Sequence, residues 1–156
     1  MKQAADRIRT DDPVFTRDVL YQLSYGGAAA PESSPGSGGG VARRLRRMDA
    51  HALPGGWTIF VARTASQRLL GLMGLRAMPP RSALLFPGCG SVHTAWMRMA
   101  IDVVFLDADG HALAVRQRLR PWRVARCRGA VAVLECPAGA ADVLLSGRCG
   151  RAVRRA

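Results

Sequence analysis

Cysteine, histidine, tryptophan, methionine, arginine and aspartate crowd into one short apolar stretch, CGSVHTAWMRMAIDVVFLDADG, residues 89–110. A thiol nucleophile needs a base within hydrogen-bond reach, about 2.6–3.2 Å. Cys89 and His93 are four residues apart, so on an extended strand they share a face but stand roughly 13 Å apart. A Cys89–His93 pair therefore requires Gly88 and Gly90 to turn the chain back sharply, which glycine permits. Without that turn, Cys89 is a small buried thiol at a loop. A metal would recruit Cys89, His93, His111, Cys127 or Cys149. Structural zinc sites pair close ligands, as in C-x-x-C or H-x-x-x-H, and neither spacing occurs. DADG, Asp107 to Gly110, opens like a calcium loop but lacks the later ligands and the closing Glu. A tight hairpin turn is the better reading, and neither metal nor cofactor is expected.

The carboxylates pose a second question. Asp102 stands at the entry of the apolar run Val103 to Leu106, and Glu135 lies inside VLECP. An unpaired buried carboxylate is expensive, so each needs a cation or donor. For Asp102 the candidates are Arg68, Arg98 and His93. On an extended 91–97 segment His93, Ala95 and Met97 share one face and Thr94 and Trp96 the other. If this strand and the next are antiparallel neighbours, their polar ends meet at one sheet edge. Arg68, His93, Trp96, Met97, Arg98 and Asp102 then line one cleft. A purely structural ion pair is the competing reading for both carboxylates.

The stretch RQRLRPWRVARCR carries Arg116, Arg118, Arg120, Arg123, Arg126 and Arg128 around Trp122. The first three alternate and would line one strand face. With Trp122 they could cradle a phosphate-bearing or single-stranded partner by charge and stacking. A charged edge strand that blocks aggregation competes with that reading.

The elements that must position these residues begin near Trp57. WTIFVAR reads as a strand. TASQRLLGLMGLRAM reads as a short helix capped by Thr64, with Gln67 completing a capping box and Leu69, Leu70, Leu72 and Met73 as its apolar face. ALLF, SVHTAWM, DVVFLD, HALAVRQRL and AVAVLEC read as strands, with DADG as the hairpin between two of them. PAGAADVLLSG reads as a second helix, started by Pro137, faced by Val143, Leu144 and Leu145, and stopped by Gly147. CGRAV reads as a last segment that could close the sheet. The fold class is α+β: small and β-rich, a twisted or barrel-like sheet with two short helices.

With 156 residues and 49% apolar composition, the chain has enough for one domain with a modest core. The longest apolar runs fall far short of the roughly 18 residues of a membrane span, and Met1 to Thr10 does not read as a secretory leader. Four cysteines without a C-x-x-C pair read as free thiols in a reducing, cytoplasmic compartment. The net charge of +12 invites nucleic acid, but all basic residues except Lys2 are arginine, in a chain also rich in Ala and Gly. Part of that charge reads as compositional drift, so nucleic acid is not the expected partner.

Residues 1–47 read as a disordered or non-native extension. GGAAAPESSPGSGGG is linker-like, and the segment before it resembles a string that recurs at the ends of unrelated conceptual translations. A marginal amphipathic helix over Thr16 to Tyr25 is the alternative there. Met48 is the expected start of the single domain, residues 48–156.

RLLGLMG, ALLF, SVHTAWMRMAIDVVFLDADG and LECPAGAA, in that order, resemble the domain of unknown function 192 family across about residues 58–153. The resemblance implies a small β-rich domain and no established reaction. Where the family usually has Gly-Asp near its end, this chain has GRCG, Gly147 to Gly150. The expectation is a binding or accessory module for a small ligand or protein partner, with its cleft around His93 and Asp102. One alternative is a small hydrolase using His93 and Asp102, with or without Cys89. The other is an anion or nucleic-acid binder through Arg116 to Arg128.

Overall fold

Where Trp57, Ile59 and Val61 alternate with Thr58 and Phe60, a strand forms with its odd positions buried. This is β2 (Trp57–Val61) of a computed structural model that describes residues 41–53 and 55–146. The other elements in chain order are α1 (Val41–Leu45), β1 (Asp49–Leu53), α2 (Ala65–Leu70), β3 (Ser82–Pro87), β4 (Ser91–His93), β5 (Ile101–Leu106), β6 (Ala112–Leu119), β7 (Val124–Arg126), β8 (Ala132–Pro137) and α3 (Ala141–Ser146). Six strands form one open mixed sheet in the order β1-β2-β3-β8-β5-β6. Only the β2–β3 pairing is parallel, and the connection it demands runs through α2. The fold is small, β-rich α+β, and the sheet does not close into a barrel.

The central strands β3, β5 and β8 are buried almost end to end, which explains their continuous apolar sequences. Their two-residue period sorts side chains onto two faces. Ile59, Val61, Leu85, Val104, Leu134 and Cys136 pack on one, closed by Ala141 and Leu144 around α3. Leu84, Phe86, Val103, Phe105 and Val133 pack on the other, closed by Leu45, Leu72, Leu75, Met78 and Met97. Leu45 and Arg44 precede the expected boundary at Met48. Leu45 is fully buried, and the Arg44 guanidinium donates to the carbonyls of Gly71 and Met73.

The capping box of α2 forms as expected: Thr64 Oγ1 accepts from Gln67 N–H, and Gln67 Oε1 accepts from Thr64 N–H. Its apolar face does not. The helix ends at Gly71 (φ 38°) after six residues, leaving Leu69 and Leu70 exposed while Leu72 turns into the core. Gly71 is needed on two counts, since a Cβ there would also sit 3.2 Å from Phe86 Cζ. Pro137 ends β8 rather than starting α3, which follows a turn closed by Ala140 N–H to Pro137 O. Val143 is exposed on that helix, whereas Leu144 is buried. The DADG hairpin forms, with Asp107 Oδ1 accepting from the amides of Asp109 and His111.

Two strand expectations are corrected. SVHTAWM is a strand only to His93; the chain then turns through Trp96 at φ 61°. And β4 does not neighbour β5. It pairs with β7 in a separate two-stranded sheet, Val92 opposite Ala125, while β5 lies between β8 and β6. The regular face expected for Arg116, Arg118 and Arg120 is also broken. A bulge places Gln117 and Arg118 opposite Asp102, Arg118 takes φ 49°, and β6 stops at Leu119. Residues 1–40 and the CGRAV and GRCG segments lie outside the described residues.

Candidate functional site

Glu135 occupies the middle of β8, flanked by Leu84 of β3 and Val103 of β5. Strand alternation puts it on the same face as Val133, in the cluster built on Phe86 and Phe105. It is only 4% exposed. No hydrogen bond or ion pair reaches its carboxyl from any described residue. Burial alone pushes its pKa up to about 8, so the carboxyl is largely protonated at neutral pH.

This carboxyl opens into a cleft of about 640 Å³. One wall is α2 and the turn after it, with Arg68, Leu69, Leu70, Leu72 and Met73. The other is the β3–β4 connection and β4, with Cys89, Ser91, Val92 and His93; Phe86 and Met97 complete the lining. Arg68 Nη2 donates to Cys89 Sγ at 2.9 Å, tying the walls together across the cleft. Gly90 lets the β3–β4 turn lie against the 127–130 segment, where a Cβ would meet Ala130 O at 3.1 Å. The site thus has a neutral acid, two guanidiniums (Arg63 and Arg68), a thiol and an imidazole on its lining, and apolar surface between them.

Of the expected cleft residues, Arg68, His93 and Met97 line it. Trp96 and Arg98 lie beyond, both exposed on the loop after β4. Asp102 is the main correction. It belongs to the opposite face, is fully buried, and is ion-paired with no arginine among the described residues. Its Oδ1 accepts from Arg118 N–H at 2.8 Å, and its Oδ2 accepts from Gly139 N–H at 2.8 Å and Ala141 N–H at 3.0 Å. Three backbone amides do what a cation was expected to do, holding the β6 bulge and the start of α3 together. Such partners follow from chain path and leave no mark in residue types.

Glu135 is the residue sequence reasoning left out of the site. Its signal was present, as a carboxylate in an apolar strand, but Asp102 gave the same signal. Nearby, burial pushes the Cys136 thiol up to about 12, with Asp102 and Glu135 adding to the effect, so Cys136 remains a core thiol on the other face. Among the described residues, Asp107, Asp109 and His111 form a group whose donor atoms converge within 4.8 Å. Asp107 already serves the turn there, and nothing else points to an ion.

The DUF192 family model, described as "Uncharacterized ACR", matches residues 49–146. The chain belongs to the domain of unknown function 192 family. Two solved structures share its fold. One is a Sinorhizobium meliloti 1021 protein described as a candidate transcription regulator, at 25% identity and TM-score 0.51, covering 61% of this chain and 82% of that one. The other is a Novosphingobium aromaticivorans DSM 12444 protein of unknown function, at 18% identity and TM-score 0.51, covering 69% and 93%. No curated protein matches the chain at comparable stringency. The family match runs from β1 through α3 and therefore contains every wall of the cleft. Among the described residues of this DUF192 domain, no helix is long and apolar enough to cross a membrane.

Proposed function

We propose that this DUF192 domain is a binding module whose cleft takes a small anionic ligand with an apolar body. The observation that carries the reading is Glu135, a residue only 4% exposed and without a hydrogen-bond or ion-pair partner among the described residues, lining a cleft that also holds Arg68. A protonated carboxyl that faces a cleft without a described partner has its O–H free to give, and a ligand oxygen would accept it. In its neutral form Glu135 offers an O–H instead of repelling an anion. Arg68 supplies the countercharge, and Leu72, Phe86 and Met97 supply apolar contact. The hydrolase alternative has less support, because Cys89 Sγ is engaged by Arg68 and no hydrogen bond joins it to His93. Asp102, the third member of that alternative, is committed to backbone amides. A cytoplasmic setting remains part of the proposal, supported by the unpaired thiols of Cys89, Cys127 and Cys136.

Titration calorimetry of the full chain with octanoate and with phenyl phosphate tests the reading. Stoichiometric binding of at least one probe is expected near pH 6.5, with loss as pH rises past about 8. Glu135→Gln should keep binding at the higher pH, and Arg68→Gln should weaken it by about tenfold or more. Absence of binding by both probes, or binding indifferent to both substitutions, would overturn it.

A further inference from the structure

Trp96 and Trp122 come from loops 26 residues apart in sequence, yet their rings meet edge to face with centroids 4.7 Å apart. Neither is buried: Trp96 is 63% exposed and Trp122 57%. Both take φ 61°, a backbone conformation bulky residues rarely adopt. Thr94 holds them there. It is fully buried; its N–H donates to Arg123 O, its carbonyl accepts from Trp122 N–H, and its Oγ1 donates to Arg120 O and accepts from Arg123 N–H. On the other side Gly74 N–H donates to Trp96 O. Ordinary burial would explain a tryptophan in a strained turn, but these two present their rings to solvent. Strain maintained by a hydrogen-bonded hub and not repaid by burial marks a surface built for contact.

Charge says what kind of contact. Arg98, Arg120, Arg123 and Arg126 are exposed on the segments that carry the two indoles, and none is ion-paired with a described residue. Residues 94–100 and 116–131 contain no carboxylate. This is a local property of the surface, independent of how much of the +12 net charge is compositional. Guanidiniums fit phosphates, and indole faces accept bases of any sequence. An acidic peptide would use the arginines but leave the aromatic pair without a stacking partner.

We propose that the Trp96–Trp122 surface binds single-stranded nucleic acid, the indoles stacking on bases while the flanking arginines contact phosphates. The surface is separate from the anion cleft and stands or falls independently of it. The test uses the full chain and a thymidine oligonucleotide of about 15 residues, followed by tryptophan fluorescence and anisotropy. Expected are quenching on binding, protection of the exposed indoles from acrylamide, and affinity falling with salt by about 0.7 log units per log unit for each phosphate contacted. Trp57, 5% exposed, supplies the unresponsive background. Trp96→Ala and Trp122→Ala should each weaken binding about tenfold, with Trp→Phe retaining most of it. Arg120→Gln with Arg123→Gln should reduce the salt slope. Heparin or polyglutamate binding as tightly as the oligonucleotide, without indole protection, would mean charge alone acts and would overturn the proposal. So would oligonucleotide binding that leaves the indoles open to acrylamide, a readout that needs no variant to fold.

Discussion

Replacing Glu135 by glutamine should remove most of the pH dependence of this domain's stability between about pH 5 and pH 8. In the folded chain burial raises the carboxyl from its ordinary 4.5 to about 8. The folded state therefore holds the proton more tightly than the unfolded state. The associated stability is fully present below about pH 4.5 and is lost as pH rises toward 8, at about 1.4 kcal/mol per pH unit. Between pH 5 and pH 8 the wild type should lose on the order of 3–4 kcal/mol relative to Glu135→Gln, whose amide fits the same space and cannot ionise. For a domain of about 100 residues this is on the order of 15 °C in melting temperature. Thermal unfolding of both chains, in buffers spaced across the range at fixed ionic strength, gives the difference directly. Parallel curves would refute the reasoning, because they would mean that Glu135 is solvated or partnered in the folded state.

Asp102→Asn should destabilise by about 2–4 kcal/mol, since an amide cannot accept equally from the amides of Arg118, Gly139 and Ala141; His93→Ala should change stability by less than about 0.5 kcal/mol. Denaturant unfolding of the two variants separates the structural acid from the cleft imidazole. Deleting residues 1–40 should leave the melting temperature unchanged, while starting at Met48 should cost about 3 kcal/mol through loss of buried Leu45 and the two Arg44 bonds. Calorimetric melts of both truncated chains check this. Gly71→Ala should destabilise by about 1–3 kcal/mol, from its positive φ and the 3.2 Å approach to Phe86, again read by denaturant unfolding.

Much of the sheet is legible in the sequence because alternation and turn chemistry are local. The Thr64–Gln67 box, the Asp107–Gly110 hairpin and strands β2, β3, β5, β6 and β8 follow from short-range pattern. What fails is nonlocal. That β4 pairs with β7, and that Trp96 turns away to meet Trp122, depends on Thr94 bonding a loop whose residues lie 26 to 29 positions later. Leu69 and Leu70 look like core because helical periodicity does not reveal that Gly71 stops the helix after six residues. The carboxylates teach the same lesson about the site. Asp102 and Glu135 have equivalent sequence surroundings. The fold satisfies one with three backbone amides and leaves the other facing a cleft, and only chain path distinguishes them.

The most direct test of the central account is the titration of the Glu135 side-chain carboxyl by carbon-13 NMR, with and without octanoate or phenyl phosphate, assigned by its loss in Glu135→Gln. A free-state midpoint near 8 that moves upward when the probe binds is expected, because an anion in the cleft stabilises the protonated acid. A midpoint in the ordinary carboxylate range, unmoved by either probe, would contradict it.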